Sequence, residues 1–474
     1  MKVAVYSHSI PPSVDGVARR MTSLLYELAK DGHEVFLFTL EKEPLLGDAA
    51  PTGSKPISRF ATLASTFLAL YPTKRVGLPT FFNQVLIHSI MLREKPDVLH
   101  CTMDAMSPFL VLSAKLLNIP VVGSIHTDVL ELLSTLGVWP MVGWVIAWKE
   151  AVESRFIDSC ATTSPSFQKK LRYRGVRCPH IIKTGVKVGL FTPEARRSDE
   201  VRDRLTFGNP GGLLVVYVGR LGPEKRMDKL IQMCASVDGV YLALIGDGAL
   251  GARLAERHGC WTNQGSRRSR GGVYCRPRFL GHKDLAPVYA TADVHVSCSQ
   301  FETLGNTVLE AHASGTTVVV PRAQGFIDTV HHEVDGFFFN GDRLQEGAAQ
   351  LKRLRDDRAL CRQMGERGRA KVQVQSPERV AQDTMDWYVR TRISLKQENA
   401  ASAMVLRCLH TLVSAFMVVV VIAFWNTTVG THHFSRNFVR YCVHTRNVLG
   451  NSSFFNKISN TYKALSNIPV QRDM

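Results

Sequence analysis

The stretch that decides the fold is Phe301–Gly315, FETLGNTVLEAHASG. Ahead of it, Ala292–Ser299 (ADVHVSCS) is rich in β-branched and small residues and reads as a buried strand. The stretch opens on a short turn and continues as a helix from Gly305 to Ser314, closed by Gly315, since glycine ends a helix without steric cost. Thr316–Val320 (TTVVV) then supplies a second strand. Strand, helix and strand on short connections make a βαβ unit, the building block of a parallel sheet. It places Glu302 at the carboxyl end of one strand and Glu310 two turns into the helix behind it.

The same rhythm extends outward on both sides. Lys2–Ser7, Val35–Leu40, Pro96–His100 and Pro120–Ile125 read as buried strands, with helices over Met21–Lys30 and Thr80–Glu94 between them. Residues 41–80 read as irregular, with one apolar helix near Phe60–Leu70. The second half restarts with strands at Leu213–Val218 and Val240–Ile245 and helices at Met227–Ser236 and Ala286–Thr291. After the central βαβ unit come a strand at Gly336–Phe339, a charged helical run over Leu344–Val374 and a helix over Pro377–Arg392. The predicted fold is α/β: two Rossmann-like domains, residues 1–192 and 193–392, facing a cleft.

Composition fits that size. The chain has 474 residues, 45% of them hydrophobic, enough for two α/β domains with full cores. A formal charge of +17 calls for acidic partners, and nucleic acid, an anionic membrane face and a nucleotide-sugar pyrophosphate all fit. No basic-aromatic module or zinc spacing is present, which sets nucleic acid aside. The ten cysteines form no C-x-x-C pair, as expected of reduced thiols; Cys260 and Cys275 fall in one predicted loop. MKVAVYSHS enters a strand within three residues, so no secretory signal is expected. Residues 257–283 carry seven Lys or Arg and no acid, and read either as a solvated loop or as a contact for anionic lipid headgroups.

Glu302 and Glu310 together form an E-x7-E arrangement that resembles the donor site of the retaining GT-B glycosyltransferases of family 4. The resemblance implies that Glu302 meets sugar hydroxyls and Glu310 the ribose. It places Thr303, Leu304 and Gly305 at the donor, where amides at a helix start donate to a diphosphate. Val218–Lys225 (VGRLGPEK) is similar to the family's R-x4-K segment, which implies that Arg220 and Lys225 hold the pyrophosphate. Two such cations take up the charge of a leaving nucleoside diphosphate without a metal, and no D-x-D is found. Gly16, ending a loop ahead of a helix, permits close backbone approach to a phosphate or sugar. His126 follows a strand's carboxyl end, where α/β sheets bind ligands, and the resemblance puts it on the sugar face.

Gly246–Gly251 also spells G-x-G-x-x-G after a strand. A dinucleotide reading needs an acid about 20 residues on, and none lies between Glu256 and Asp284. Within the family, ETLGNTVLEAHASG and DGVARR are similar to GDP-mannose-type lipid mannosyltransferases, whereas VGLP, HTD and residues 321–326 resemble sulfoquinovosyltransferases. At Arg322–Gly325 many relatives carry a double glycine that this chain lacks. The implied activity is retaining, metal-independent transfer of a sugar from a UDP- or GDP-sugar to a lipid-type acceptor, with no cofactor. Two other readings are a catalytically inactive membrane scaffold on the same fold and a nucleotide-sugar epimerase.

Ala403–Trp425 is an apolar stretch, interrupted by Arg407 and His410 and charge-free over 411–425 (TLVSAFMVVVVIAFW), that as a whole narrowly meets the length of a transmembrane helix; a buried core helix is the other reading. Basic residues flank both ends and do not orient it. Nucleotide sugars are made in the cytosol, so a single-pass protein with its catalytic domain facing the cytosol is expected, with 426–474 as a polar tail.

Overall fold

The computed structural model describes residues 1–13, 15–42, 44, 59–68, 71–135, 140–195, 199–258 and 271–397, with Leu409, Leu412, Val413 and Phe416. In chain order the strands of the first half are β1 (Lys2–Ser7), β2 (Glu34–Thr39), β3 (Phe60–Thr62), β4 (Ser65–Leu68), β5 (Tyr71–Gly77), β6 (Val98–Thr102), β7 (Val121–Ile125), β8 (Ser159–Thr162) and β9 (His180–Ile181). The second half adds β10 (Leu213–Val218), β11 (Val240–Gly246), β12 (Gly271–Pro277), β13 (Val294–Val296), β14 (Thr317–Pro321) and β15 (Gly336–Phe339).

Two parallel sheets result, in the orders β3-β2-β1-β6-β7-β8-β9 and β12-β11-β10-β13-β14-β15, with β4 and β5 as a separate antiparallel pair. Each sheet reverses direction of winding next to its first strand, at β1/β6 and at β10/β13, and ligands bind in α/β folds beyond the carboxyl ends of the strands there. Strands covered on both faces read as unbroken apolar runs, which is why LLVVYV of β10 is buried throughout. Alternate residues feed different cores: Ala4 and Tyr6 pack on one face of the first sheet, and Val3 and Val5 on the other.

The central βαβ unit is present, with its helix at Asn306–Ala313 and Gly305 as the N-terminal cap. Thr303 and Leu304 therefore lie in the turn ahead of the helix rather than in its first turn. The first helix, Gly16–Lys30, begins five residues earlier than expected, because the Asp15 carboxylate accepts from the Ala18 amide and caps it there. The helix expected near Phe60–Leu70 is absent; β3 pairs with β2, and β4 and β5 form a hairpin. Ala61 and Leu63 are buried at a period of two, a strand signature that the overall apolarity of the segment hid. The Leu344–Val374 run is two helices, Leu344–Asp356 and Arg358–Val372, parted by Asp357, whose side chain accepts from the Leu360 amide.

Residues 271–277 of the basic stretch are not loop. They form edge strand β12, on which Cys275 is buried, while Cys260 lies outside the described residues. Helix Pro377–Gln397 follows the second sheet but packs on the first, where Ala381, Trp387 and Tyr388 join the core of Val3, Val5 and Leu25. The apolar run Ala403–Trp425 falls outside the described residues except at Leu409, Leu412, Val413 and Phe416, and 426–474 lie wholly outside them. Among the described residues no helix is long and apolar enough to cross a membrane.

Burial holds His100 and His295 neutral with pKa values of about 3, and His312 with one of about 4. These lie below the unfolded value of about 6.5, so the stability these residues contribute is present above that pH and is lost as pH falls towards 3–4. Each then adds a slope of up to about 1.4 kcal/mol per pH unit. Urea titrations are expected to show a lower midpoint at pH 5 than at pH 7; an unchanged midpoint would show that these histidines are not neutral in the fold.

Candidate active site

The carboxyl ends of β1, β7, β10 and β13 converge on a cavity of ≈ 300 Å³ between the two sheets. Gly16, His126, Arg220, Lys225, Glu302 and Thr303 all line it, together with Leu304 and Gly305. The nine residues singled out from the sequence thus come together, with Glu310 one step behind, in the helix that follows the turn.

From the second domain, β10 hands over to a loop that carries Arg220 and Lys225. Arg220 is largely desolvated, which lowers its pKa, while Glu224 at 3.8 Å and the Glu302 charge act the other way. Its carbonyl accepts from the Tyr217 hydroxyl at 2.8 Å. The G-x-G-x-x-G glycines brace this loop rather than opening a dinucleotide site. A Cβ on Gly246 (φ +145°) would lie 1.9 Å from the Gly219 carbonyl oxygen, and one on Gly248 (φ +155°) 2.6 Å from that of Leu221. Lys225 Nζ pairs with Glu302 Oε1 across the cavity floor.

The Glu302–Gly305 turn is clamped from two sides. The Gly325 amide donates to the Glu302 carbonyl at 2.7 Å. From the first domain, Ser164 Oγ (2.7 Å) and Thr163 Oγ1 (3.1 Å) donate to the Thr303 carbonyl, while Thr303 Oγ1 donates to the His126 carbonyl at 2.8 Å. Nearby, the Ser166 amide donates to Asp328 Oδ2 at 2.9 Å. The turn is therefore where the two domains touch, and the His126 main chain is held through it.

Glu310 is buried, and burial raises its pKa; the Arg19 charge, the Tyr289 hydroxyl and the hydrogen bond from Arg19 pull it back. Arg19 comes from the other domain, its guanidinium 2.9 Å from Glu310 Oε1, and Tyr289 OH donates to Oε2 at 3.2 Å. His282 Nε2 stands 4.0 Å from Oε1, and burial, with Arg19 and Lys187, lowers its pKa to about 3. A buried carboxylate left without a cation is costly, so this pair constrains how the domains meet.

Arg20, next in sequence, points elsewhere because neighbouring helix positions face about 100° apart. It is buried, with a pKa lowered to about 9 by desolvation; it donates to the carbonyls of Ile182 and Lys183 and lies 3.4 Å from His126 Nδ1. Arg19, Arg20, Asn306 and Tyr289 were not singled out from the sequence. The DGVARR segment showed two arginines at a helix start beside Gly16, and only the tertiary pairing separates their roles.

The comparisons with known proteins agree on one family. Residues 14–206 match the family model "Glycosyltransferase Family 4" and residues 212–357 the model "Glycosyl transferases group 1". A GDP-mannose-dependent alpha-mannosyltransferase of Mycobacterium tuberculosis is 29% identical over 375 residues, which is 78% of this chain and 93% of the relative. The sulfoquinovosyl transferase SQD2 of Arabidopsis thaliana is 30% identical over 298 residues, 60% of this chain and 55% of the relative. Among solved structures, sucrose-phosphate synthase from Thermosynechococcus elongatus superposes with a TM-score of 0.63 at 20% identity, over 83% of this chain and 99% of that one. That likeness establishes the two-domain α/β fold.

Two glycines separate a cheap substitution from a costly one. A Cβ on Gly16 would meet the free end of the Asn306 side chain at 2.9 Å, which can swing away. On Gly325 it would lie 2.4 Å from the Leu304 amide nitrogen, main chain that cannot move without carrying the turn with it. Titration calorimetry with UDP and GDP should therefore show a much larger loss of affinity for Gly325→Ala than for Gly16→Ala. Equal affinities would mean that the turn does not contact the nucleotide.

Proposed function

The chain belongs to the family 4 glycosyltransferases, enzymes that transfer hexosyl groups, and from that premise we propose retaining, metal-independent transfer from a UDP- or GDP-sugar to a lipid-type acceptor. The observation that carries the reading is the meeting of Arg220 and Lys225 with Glu302, Thr303 and His126 around one cavity, with Glu310 behind it. In this reading the two cations hold the donor pyrophosphate and take up the charge that grows on the leaving diphosphate, work that would otherwise fall to a metal ion. Glu310 accepts from the ribose, Glu302 from sugar hydroxyls, and His126 lines the sugar face.

The lipid acceptor and the membrane rest on separate support. Trp144, Leu409, Leu412 and Phe416 are exposed, and the Phe416 ring stands edge-on to Trp148 at 6.4 Å between centroids. Phe416 thus lies beside the helix that carries the exposed Trp144, an arrangement suited to a bilayer surface. We take 403–425 as a single membrane span with the catalytic part facing the cytosol. Protease treatment of sealed vesicles would then remove residues 1–390 and spare a short fragment; full protection of the catalytic part would rule this topology out.

A panel of UDP- and GDP-hexoses offered with lipid acceptors tests the reaction itself. The product is expected to keep the donor's anomeric configuration by NMR, and turnover to survive excess EDTA. Lys225→Ala should lower turnover at least a hundredfold, since one preorganised donor is worth about 3–4 kcal/mol in such sites. An inverted product, or turnover abolished by EDTA and restored by manganese, contradicts the mechanism. Sugar turnover without any acceptor would point to an epimerase.

A further inference from the structure

Behind His126 runs a buried chain of hydrogen bonds that the proposed transfer does not use. His126 Nε2 lies 2.8 Å from Ser124 Oγ, Ser124 Oγ 2.8 Å from His100 Nε2, and His100 Nδ1 2.5 Å from the Tyr388 hydroxyl. All four side chains are buried, Tyr388 completely. Three belong to the first sheet: His100 on β6, Ser124 on β7 and His126 just beyond it. Tyr388 does not. It lies on helix Pro377–Gln397, reached only after the chain has built the whole second domain.

The chemistry of the Arg20 end sets the direction of every bond. At the near end a guanidinium has no acceptor, so the Arg20 contact at 3.4 Å requires His126 Nδ1 to be the lone-pair nitrogen. His126 then carries its proton on Nε2 and donates it to Ser124 Oγ. A hydroxyl has one proton to give, and that of Ser124 goes to His100 Nε2. His100 therefore carries its proton on Nδ1 and donates to the Tyr388 oxygen. Burial keeps both rings neutral, with the Arg20 charge adding to the effect, which the scheme requires. Without the Tyr388 oxygen, His100 Nδ1–H would lose its acceptor, and the favoured tautomer would place its proton on Nε2. Ser124 would then face a donor from each histidine, and the bond that fixes the His126 ring would weaken.

We propose that Tyr388 is a positioning residue for glycosyl transfer, fixing the tautomer and ring orientation of His126 through His100 and Ser124. The inference rests on the reading of His126 as the sugar-face residue. It gives the returning helix a task beyond packing: the last described helix sets the geometry of a group on the first domain, so transfer depends on its docking. Arg20 shares the outcome, because the His126 Nδ1 lone pair is one of the partners that hold its guanidinium beside the cavity.

The test is a mutant cycle on the full-length chain with the donor and acceptor found above. Tyr388→Phe removes one oxygen and leaves the ring packed on His100, 5.6 Å between centroids. It should lower kcat about tenfold with the donor KM unchanged, and Ser124→Ala should lower kcat at least as much. The double variant should match Ser124→Ala alone, since two breaks in one chain do not add, whereas independent effects multiply. Ser159→Ala is the control: it removes another bond from this helix to the sheet, Trp387 Nε1 to Ser159 Oγ at 2.7 Å, and takes no hydrogen bond from any member of the chain, although the Trp387 ring packs edge-on to His100. It should leave kcat within about twofold. Thermal melts keep the comparison to folded protein, and if Tyr388→Phe melts below the assay temperature, Ser124→Ala against Ser159→Ala decides. A Tyr388→Phe enzyme with wild-type kcat, multiplied losses in the double variant, or an equal loss in Ser159→Ala would overturn the proposal. Absence of turnover by the wild-type chain would instead speak against the proposed function.

Discussion

A carboxylate buried behind the turn of a βαβ unit needs a cation, and here the cation belongs to the other domain. Glu310 sits in the helix after β13, desolvated enough to raise its pKa, and the Arg19 guanidinium reaches it from the first helix of the first sheet. Removing one partner of such a buried pair typically costs about 3–5 kcal/mol, because the other charge stays buried and unanswered. The relative position of the two sheets is thereby tied in part to this ion pair. The contacts between Thr303 and residues 126, 163 and 164 follow from the same approach. A ligand that claims Glu310 has to displace Arg19 or bind beside it, so occupancy at Glu310 is linked to the contact between the two domains.

The fold was legible wherever burial on both faces wrote a continuous apolar run. β1, β10, β11 and β15 lie within one residue of where the sequence placed them, and the strand-turn-helix with Glu302 and Glu310 stands as read. Legibility failed where apolarity had no period. Ser107–Leu116 is buried around nearly all its surface and carried no helical stripe to read, and Ala61 and Leu63 sit in a segment whose apolar background masked an alternation. It failed again where one residue sets a boundary, as Asp357 does by capping a new helix in an otherwise continuous charged run.

The site divides along a similar line. Residues that act from a loop at a strand's carboxyl end, such as Arg220, Glu302 and His126, announce themselves by place and spacing. Residues that act by long-range pairing do not. Nothing local distinguishes Arg19 from Arg20, or marks Tyr388 as other than one more aromatic on an amphipathic helix. Sequence separations of 291 between Arg19 and Glu310, and of 288 between His100 and Tyr388, are visible only in the folded chain.

Charge in the cavity has a further consequence. Arg19, Arg20, Arg220 and Lys225 converge on it, and three of them face a carboxylate: Arg19 meets Glu310, Arg220 meets Glu224 and Lys225 meets Glu302. Asp15, Asp128, Glu224 and Glu302 line the same cavity, so its walls carry fixed charges of both signs, with each cation placed near a carboxylate or a carbonyl. Desolvation lowers the pKa values of Arg20 and Arg220, and for Arg220 the Glu224 and Glu302 charges act against it. In the proposed reading, a diphosphate lets Lys225 exchange a carboxylate partner for a phosphate one, which releases Glu302 for other donors such as sugar hydroxyls. The Lys225–Glu302 pair then acts as a placeholder, keeping both side chains partnered until a ligand supplies each with a new one. That exchange makes the affinity of the site a difference between two well-satisfied states, and it ties recognition of the sugar to recognition of the diphosphate.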